Sequence, residues 1–354
     1  MYRILVINPG STSTKIAMYE DEKEAWSETI TYRKEDLDGF NRSIEQLEMR
    51  RIDIMDLLKN RGVDLKMVSA VVGRGGPFRP LGSGTYLVDE KLLDDIKMGN
   101  VQADHISNIG AVLAHELAEK AGVSAYFVDP VSVDEFEPIA RISGIPELER
   151  ISLLHTLNIR ATAYRAARDL GKSLTEINLI VAHLGGGISI CPIRKGRIID
   201  VNNANEGGPF SPERSGSLPV SSLVKLCYSG KFSFEEMKKR IVGNGGLVAY
   251  LGTNDSREVE RRIEKGDEDA RLIYEAMAYQ IAKEIGAMSS VLKGSVDCIV
   301  ITGGLANSVM LVEWIKERIS FIAPVYIYGG ENEMEALAHG VLRVLRKEEM
   351  VKKY

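Results

Sequence analysis

Ile4-Leu5-Val6-Ile7-Asn8-Pro9-Gly10-Ser11-Thr12-Ser13-Thr14 and Leu179-Ile180-Val181-Ala182-His183-Leu184-Gly185-Gly186-Gly187-Ile188-Ser189 share one grammar: an apolar β-prone run, a small-residue turn and the start of a second strand. Asn8 and His183 stand at the same offset as Gly10 and Gly185, about half the chain length apart. Outward from the first turn the pattern predicts strands near 13–20 and 25–32, a helix over 43–60, a strand at 68–73, a helix over 107–121 and a strand at 125–128. From the second it predicts strands near 188–193 and 196–202, a long helix over 267–292, a strand at 298–302, a helix over 308–319, a strand at 325–328 and a last helix. Ile273, Met277, Ile281, Ile285, Met288 and Leu292 recur at three and four, so the long helix should turn one face to the core. Met334, Leu337, Leu342 and Leu345 do the same for the last.

Both halves therefore read as βββαβαβα. Three strands joined by tight turns pair antiparallel, and the crossovers that follow demand parallel pairing, so each half should be a mixed α/β sheet flanked by helices. The expected division is an N-terminal domain over 1–150, with a C-terminal helix at 332–354 packing back on it, and a nucleotide-binding domain over 151–331. A cleft between the two is expected to hold the site.

Composition limits the partners. The 354 residues are 44% hydrophobic and 27% charged, with a net charge of -5, which fits two globular domains and gives no basic footprint for nucleic acid. No apolar stretch is long enough for a membrane span or a signal peptide, so the expectation is cytoplasmic. Cys191, Cys227 and Cys298 are odd in number and far apart, and are expected to be buried thiols. His105, His115 and His339 lack metal-ligand spacing, and His115-Glu116 has no second histidine to complete a zinc motif.

Glycine turns let backbone N–H groups approach an anion, because no Cβ intervenes. Gly185-Gly186-Gly187 alone reads as readily as a hairpin turn, but two equivalent turns in a repeated fold point to phosphate. No GxxxxGK[ST] and no strand-linked GxGxxG occurs. Thr302-Gly303-Gly304-Leu305-Ala306-Asn307-Ser308, between a buried strand and a helix, reads either as a nucleoside site or as a loop with Asn307 or Ser308 as helix cap. Arg74, Arg214 and Arg257 all lie in small-residue loops, where a guanidinium can reach a phosphate or carboxylate bidentately. Asp129 ends a strand before Pro130, a turn position and equally a site position. Glu331, Glu333 and Glu335 open the last helix, where acidic residues ordinarily complement its dipole. His155 by itself reads as a core residue.

Taken together, Asn8 to Lys15, Ala182 to Gly187, Arg214-Ser215-Gly216 and Asp255-Ser256-Arg257 resemble the acetokinase family, in order and spacing over nearly the whole chain. The resemblance implies the duplicated actin-like ATPase (ribonuclease H-like) fold, ATP/ADP and Mg²⁺, and reversible transfer of the γ-phosphoryl group to a small carboxylic acid. It implies that Arg214 stabilises the transferring group, that His183 donates a hydrogen bond to it and that Asn8 supports the same phosphates. Asp129 and His155 match further site residues, and Glu333 the metal-linked glutamate, with Glu331 close behind. Gly185, Gly186, Gly187, Asp255, Arg257, Gly303, Gly304 and Asn307 match nucleotide-binding segments. A homo-oligomer, at least a dimer, is also implied.

The departures matter for the acceptor. Acetate-specific members carry Arg-Val-Val-His-Gly-Gly where this chain has Val71-Val72-Gly73-Arg74-Gly75-Gly76, so Arg74 is expected to bind the substrate carboxylate in place of the missing arginine. Gly73 stands at a valine that closes the acetate pocket, and its lost isopropyl group is expected to make room for butyrate or a similar short or branched acid. Acetate or propionate as acceptor, a regulatory ATPase that phosphorylates nothing, and an alcohol or sugar kinase using Asp129 as base are the alternatives.

Overall fold

A computed structural model describes residues 1–354, and the chain divides into two compact units. Unit 1 comprises Met1–Val133 and Asn332–Tyr354; unit 2 is Asp134–Glu331.

Unit 1 contains β1 (Arg3–Pro9), β2 (Ser13–Glu20), β3 (Lys23–Thr31), α1 (Lys34–Leu37), α2 (Leu47–Asn60), β4 (Ala70–Arg74), β5 (Thr85–Leu87), α3 (Glu90–Met98), α4 (Asn108–Ala121) and β6 (Ala125–Val128). Its six strands run in the order β3-β2-β1-β4-β6-β5. The tight turns make β1-β2-β3 antiparallel, while β1, β4 and β6 are parallel. β5, absent from the sequence reading, adds antiparallel to β6. Leu5, Ile7, Val71 and Phe127 point into a core closed by Leu113 and Leu117 of α4, each buried aliphatic contributing about 2 kcal/mol.

Unit 2 contains α5 (Pro138–Arg141), α6 (Thr156–Asp169), β7 (Asn178–Leu184), β8 (Ile188–Arg194), β9 (Arg197–Ile198), α7 (Val220–Cys227), α8 (Phe234–Ile241), α9 (Gly246–Leu251), α10 (Ser256–Glu264), α11 (Glu268–Val291), β10 (Cys298–Gly303), α12 (Val309–Ile319) and β11 (Val325–Gly329). The sheet order is β11-β10-β7-β8-β9, with β7, β10 and β11 parallel. Along α11, Met277, Ile281, Ile285 and Met288 are buried; Tyr274 takes the core place expected of Ile273, which sits on the flank. Asp267 caps that helix by accepting from the Ala270 N–H at 2.9 Å. Segment 134–150 is tied to unit 2 by ion pairs: Arg194 to Glu137 at 2.6 Å and Arg150 to Asp200 at 2.7 Å.

The last helix, α13 (Glu333–Leu345), belongs to unit 1 and stops at Leu345, with Arg346 as its cap. It is therefore shorter than the expected 332–354; Lys352 beyond it bridges to Tyr86. Cys191 and Cys298 are buried, the Cys298 thiol being pushed up to about 11 by desolvation. Cys227 is exposed, contrary to expectation, because α7 buries none of its residues. No helix is long and apolar enough to cross a membrane.

Candidate active site

Register decides what meets in unit 2. Thr302 of β10 pairs with His183 of β7, and Gly303 with Gly329 of β11, so three strand ends open side by side. Gly303 adopts φ 89, and a Cβ there would collide with the Leu184 backbone. Only glycine lets β10 pass so close. His183 is fully buried. The Asn158 amide on the first turn of α6 donates to His183 Nδ1 at 2.8 Å and to Thr302 Oγ1 at 3.1 Å. The His155 ring stacks on His183 with centroids 4.0 Å apart and planes at 13°, and its Nδ1 lies 3.0 Å from Ser189 Oγ. His183 Nε2 sits 3.1 Å from Glu331 Oε1, off the line a hydrogen bond needs, so this buried nitrogen has a close carboxylate but no directed partner.

The Gly185–Gly187 turn gathers two cationic or polar groups. A Cβ on Gly185 would lie 3.3 Å from His183 Nε2, and one on Gly187 would overlap the Arg214 guanidinium, 2.6 Å from Cζ. Arg214 is held from behind: the Ser211 hydroxyl donates to Gly186 O at 2.5 Å and accepts from the Arg214 N–H at 3.1 Å. The Arg214 guanidinium makes no salt bridge. Desolvation, only partly opposed by neighbouring Glu213, pulls its pKa below the usual arginine value. A half-buried cation without a counter-ion beside a glycine turn is suited to receive an anion.

The nucleotide-binding candidates fall into two groups. Gly304 and Asn307 form the short turn after β10; the Asn307 amide donates to Gly304 O at 3.1 Å, and the space a Cβ would take on Gly304 is open. Ser308, not Asn307, caps α12 by accepting from Leu311 N–H at 3.0 Å. Asp255 caps α10, and its carboxyl is held below the usual range chiefly by the hydrogen bond from Arg257. That guanidinium is exposed and bonded to its own cap at 3.1 Å. The loop still reaches the Arg214 segment, since Asn254 Nδ2 donates to Glu213 Oε1 at 2.5 Å.

Unit 1 assembles a second cluster, again by register. Ile7 of β1 pairs with Gly73 of β4, which places Asn8 beside Arg74. Arg74 Nη1 lies 2.7 Å from Glu333 Oε2 and 3.4 Å from Asn8 Oδ1, and Asn8 Nδ2 donates to the same Glu333 oxygen at 2.8 Å. Both hydrogen bonds of the Glu333 carboxylate fall on Oε2, which leaves Oε1 as a hard oxygen of the kind a divalent cation takes, though no cluster of three or more acidic, His or Cys side chains forms around it. Asp129, 3% exposed, adopts φ 39 and accepts from Gly84 N–H at 2.7 Å while its own N–H donates to Gly84 O. Such strain in a non-glycine residue is kept only where surrounding bonds enforce it. Behind the Asn8–Thr14 turn, fully buried Arg50 donates to Ser11 O, Ser13 O and Thr14 Oγ1 at 3.2, 2.9 and 2.8 Å.

Gly73 corrects the expected pocket. A Cβ there would strike the Gly110 carbonyl of α4, and a Cβ on Gly110 would lie 2.5 Å from Arg74 O. The missing isopropyl group is replaced by helix backbone, so Gly73 serves close packing of α4 on β4 and opens no room for an acyl chain. Sequence reasoning missed Asn158, Thr302, Ser189 and Arg50; only the neighbouring strand ends, unknown before the register, single them out.

Residues 154–336 match the model of the acetokinase family. Over 354 residues the chain is 55% identical to a probable butyrate kinase 2 of Caldanaerobacter subterraneus subsp. tengcongensis, covering all of both chains. It is 51% identical to butyrate kinase 2 of Clostridium acetobutylicum, covering 100% of this chain and 99% of that one. The crystal structure of Porphyromonas gingivalis acetate kinase superposes with a TM-score of 0.78 at 20% identity, over 98% of this chain and 100% of the other, and that likeness shows the duplicated actin-like ATPase fold. Matched along its length by relatives of one kind and in its second half by the family model, the chain belongs to the acetokinase family.

Proposed function

We propose that the protein is a carboxylate kinase that reversibly transfers the γ-phosphoryl group of ATP to butyrate or a similar short or branched acid, giving an acyl phosphate and ADP. The observation that carries this is Arg214: a desolvated guanidinium with no counter-ion, set over Gly187 on the turn that follows His183 of β7. The choice of acid rests on the two butyrate kinases that share more than half of this sequence.

The chemistry asks little of a base. A carboxylic acid has a pKa of about 4 to 5 and is ionised at neutral pH, so the nucleophile is ready. What resists reaction is charge, since an anion must approach a polyanion whose transferring group carries spread negative charge. In this reading Arg214 and the His183 Nε2–H stabilise that group, and Asn8 supports the phosphates. Arg74 takes the acceptor carboxylate, exchanging Glu333 for it, while Asp129 orients the acceptor side. Gly185, Gly186, Gly187, Gly303, Gly304, Asn307 and the Asp255–Arg257 loop hold the nucleotide. Glu333 is the residue that would link a Mg²⁺ to the chain, and the ion, bound with ATP, would supply charge neutralisation to its phosphates.

Hydroxylamine trapping tests the reading. With ATP and Mg²⁺, butyrate and isobutyrate should yield hydroxamate at higher kcat/KM than acetate; ATP hydrolysis without hydroxamate from any acid would point to a regulatory ATPase instead. Because ATP is held inside cells, the reading places the protein in the cytoplasm, which cell fractionation checks. It also includes a homo-oligomer: Val220 (71% exposed), Val224 (50%) and Tyr228 (89%) form an apolar surface on and after α7 that a second copy can cover. Light scattering should then give at least twice the chain mass.

A further inference from the structure

We propose that Asn158 is a positioning residue that fixes the tautomer of His183, holding its single proton on Nε2 so that the ring is a neutral hydrogen-bond donor to the transferring phosphoryl group. The inference deepens the reading of His183 as a donor and rests on it. Its basis is a one-way chain of hydrogen bonds within unit 2. The Thr302 hydroxyl donates to Gly330 O at 3.4 Å, which leaves its oxygen to accept from Asn158 Nδ2 at 3.1 Å. The same amide nitrogen reaches His183 Nδ1 at 2.8 Å, so that ring nitrogen accepts. Turning the Asn158 amide over would set its oxygen against Thr302 Oγ1, and the Thr302 hydroxyl could then no longer serve Gly330. With Nδ1 accepting, a neutral imidazole must carry its proton on Nε2.

Burial makes the arrangement firm. Asn158 is 7% exposed and His183 fully buried, and Nε2 has no directed partner within the fold, so its N–H is unspent. The parallel His155 ring, tied to Ser189, fixes the imidazole plane. The titratable and charged groups around the ring are His155 at the start of α6, Glu331 after β11, and Glu213 and Arg214 across the glycine turn. A neutral donor can approach Arg214 without the repulsion that an imidazolium would meet.

The test combines a spectroscopic and a kinetic measurement. In ¹⁵N-histidine-labelled protein, with His183 assigned from the spectrum of a His183→Asn variant, Nδ1 should resonate as an unprotonated nitrogen and Nε2 as a protonated one. Asn158→Ala should lower kcat about 10- to 100-fold, as the loss of a ligand-orienting partner does elsewhere, with KM for acid and ATP within about twofold. Asn158→Asp keeps the shape but gives Nδ1 an acceptor. The carboxylate raises the imidazole pKa; below it both nitrogens are protonated and Nε2 still donates, and above it the proton stays on Nδ1 and Nε2 stops donating. The variant should therefore gain a loss of kcat with rising pH that the parent lacks. An Nδ1-protonated ring in the parent, or a pH profile unchanged in Asn158→Asp, would overturn the proposal. Should Asn158→Ala fail to fold, the parent spectrum and the isosteric Asn158→Asp decide alone. If the parent makes no acyl phosphate, the kinase reading falls, while the spectrum still judges the tautomer.

Discussion

Arg214 has given up much of its hydration without gaining a carboxylate, which is a cost to the folded state. Arg214→Ala should therefore leave the melting temperature unchanged or higher while kcat for hydroxamate formation falls about 10²- to 10³-fold, the effect of removing one preorganised donor to a transition-state charge. Calorimetry and trapping on the same sample check both halves, and a parallel loss of stability would make Arg214 structural. Arg214, His183 and Asn8 were legible as sequence because each sits in or beside a loop whose small residues have few other uses. Asn158 was not: an asparagine in the first turn of an apolar helix looks like any other, and its meaning comes from Thr302 and His183, which lie on other elements. Arg257 sits in a loop as rich in small and polar residues, and what only the structure adds is that its guanidinium pairs with Asp255, the cap of its own helix.

Among elements, the contact of β4 with α4 is the one the sequence misled on. Comparing side chains at position 73 counts the atoms lost; it cannot see that the Gly110 backbone occupies the space a side chain would need. Gly73→Val should destabilise the protein by about 3 kcal/mol, read from chemical denaturation, and should not shift preference toward acetate. The buried clamp at the first glycine turn gives a second prediction. Arg50 bonds three oxygens of that turn, and Arg50→Ala strands them, so a loss of about 3 kcal/mol is expected by the same measurement. The periodic elements themselves were readable: α11 announced its buried face through residues at three and four, and the twin β-turn-β segments announced the sheets. β5 and β9 were not, or only in part, because three and two residues carry too little periodicity to mark a strand and its ends.

At the scale of the whole molecule, the repeat is not the unit of packing. The last helix of each repeat leaves its own sheet: α6 lies with unit 2, and α13 returns to unit 1, where Gly340 lets it approach Val128 of β6. A chain ending at residue 331 should accordingly lose hydrogen-exchange protection along β1, β4 and β6, while β7, β10 and α11 keep theirs. Full protection of β1 in that shortened chain would refute the dependence. The return of α13 also sets a timetable for synthesis. Ribosomes deliver β1 and β4 long before the helix that must cover them, so unit 2 can mature while unit 1 still waits, and strands made early are among the last to be sheltered from proteases and chaperones.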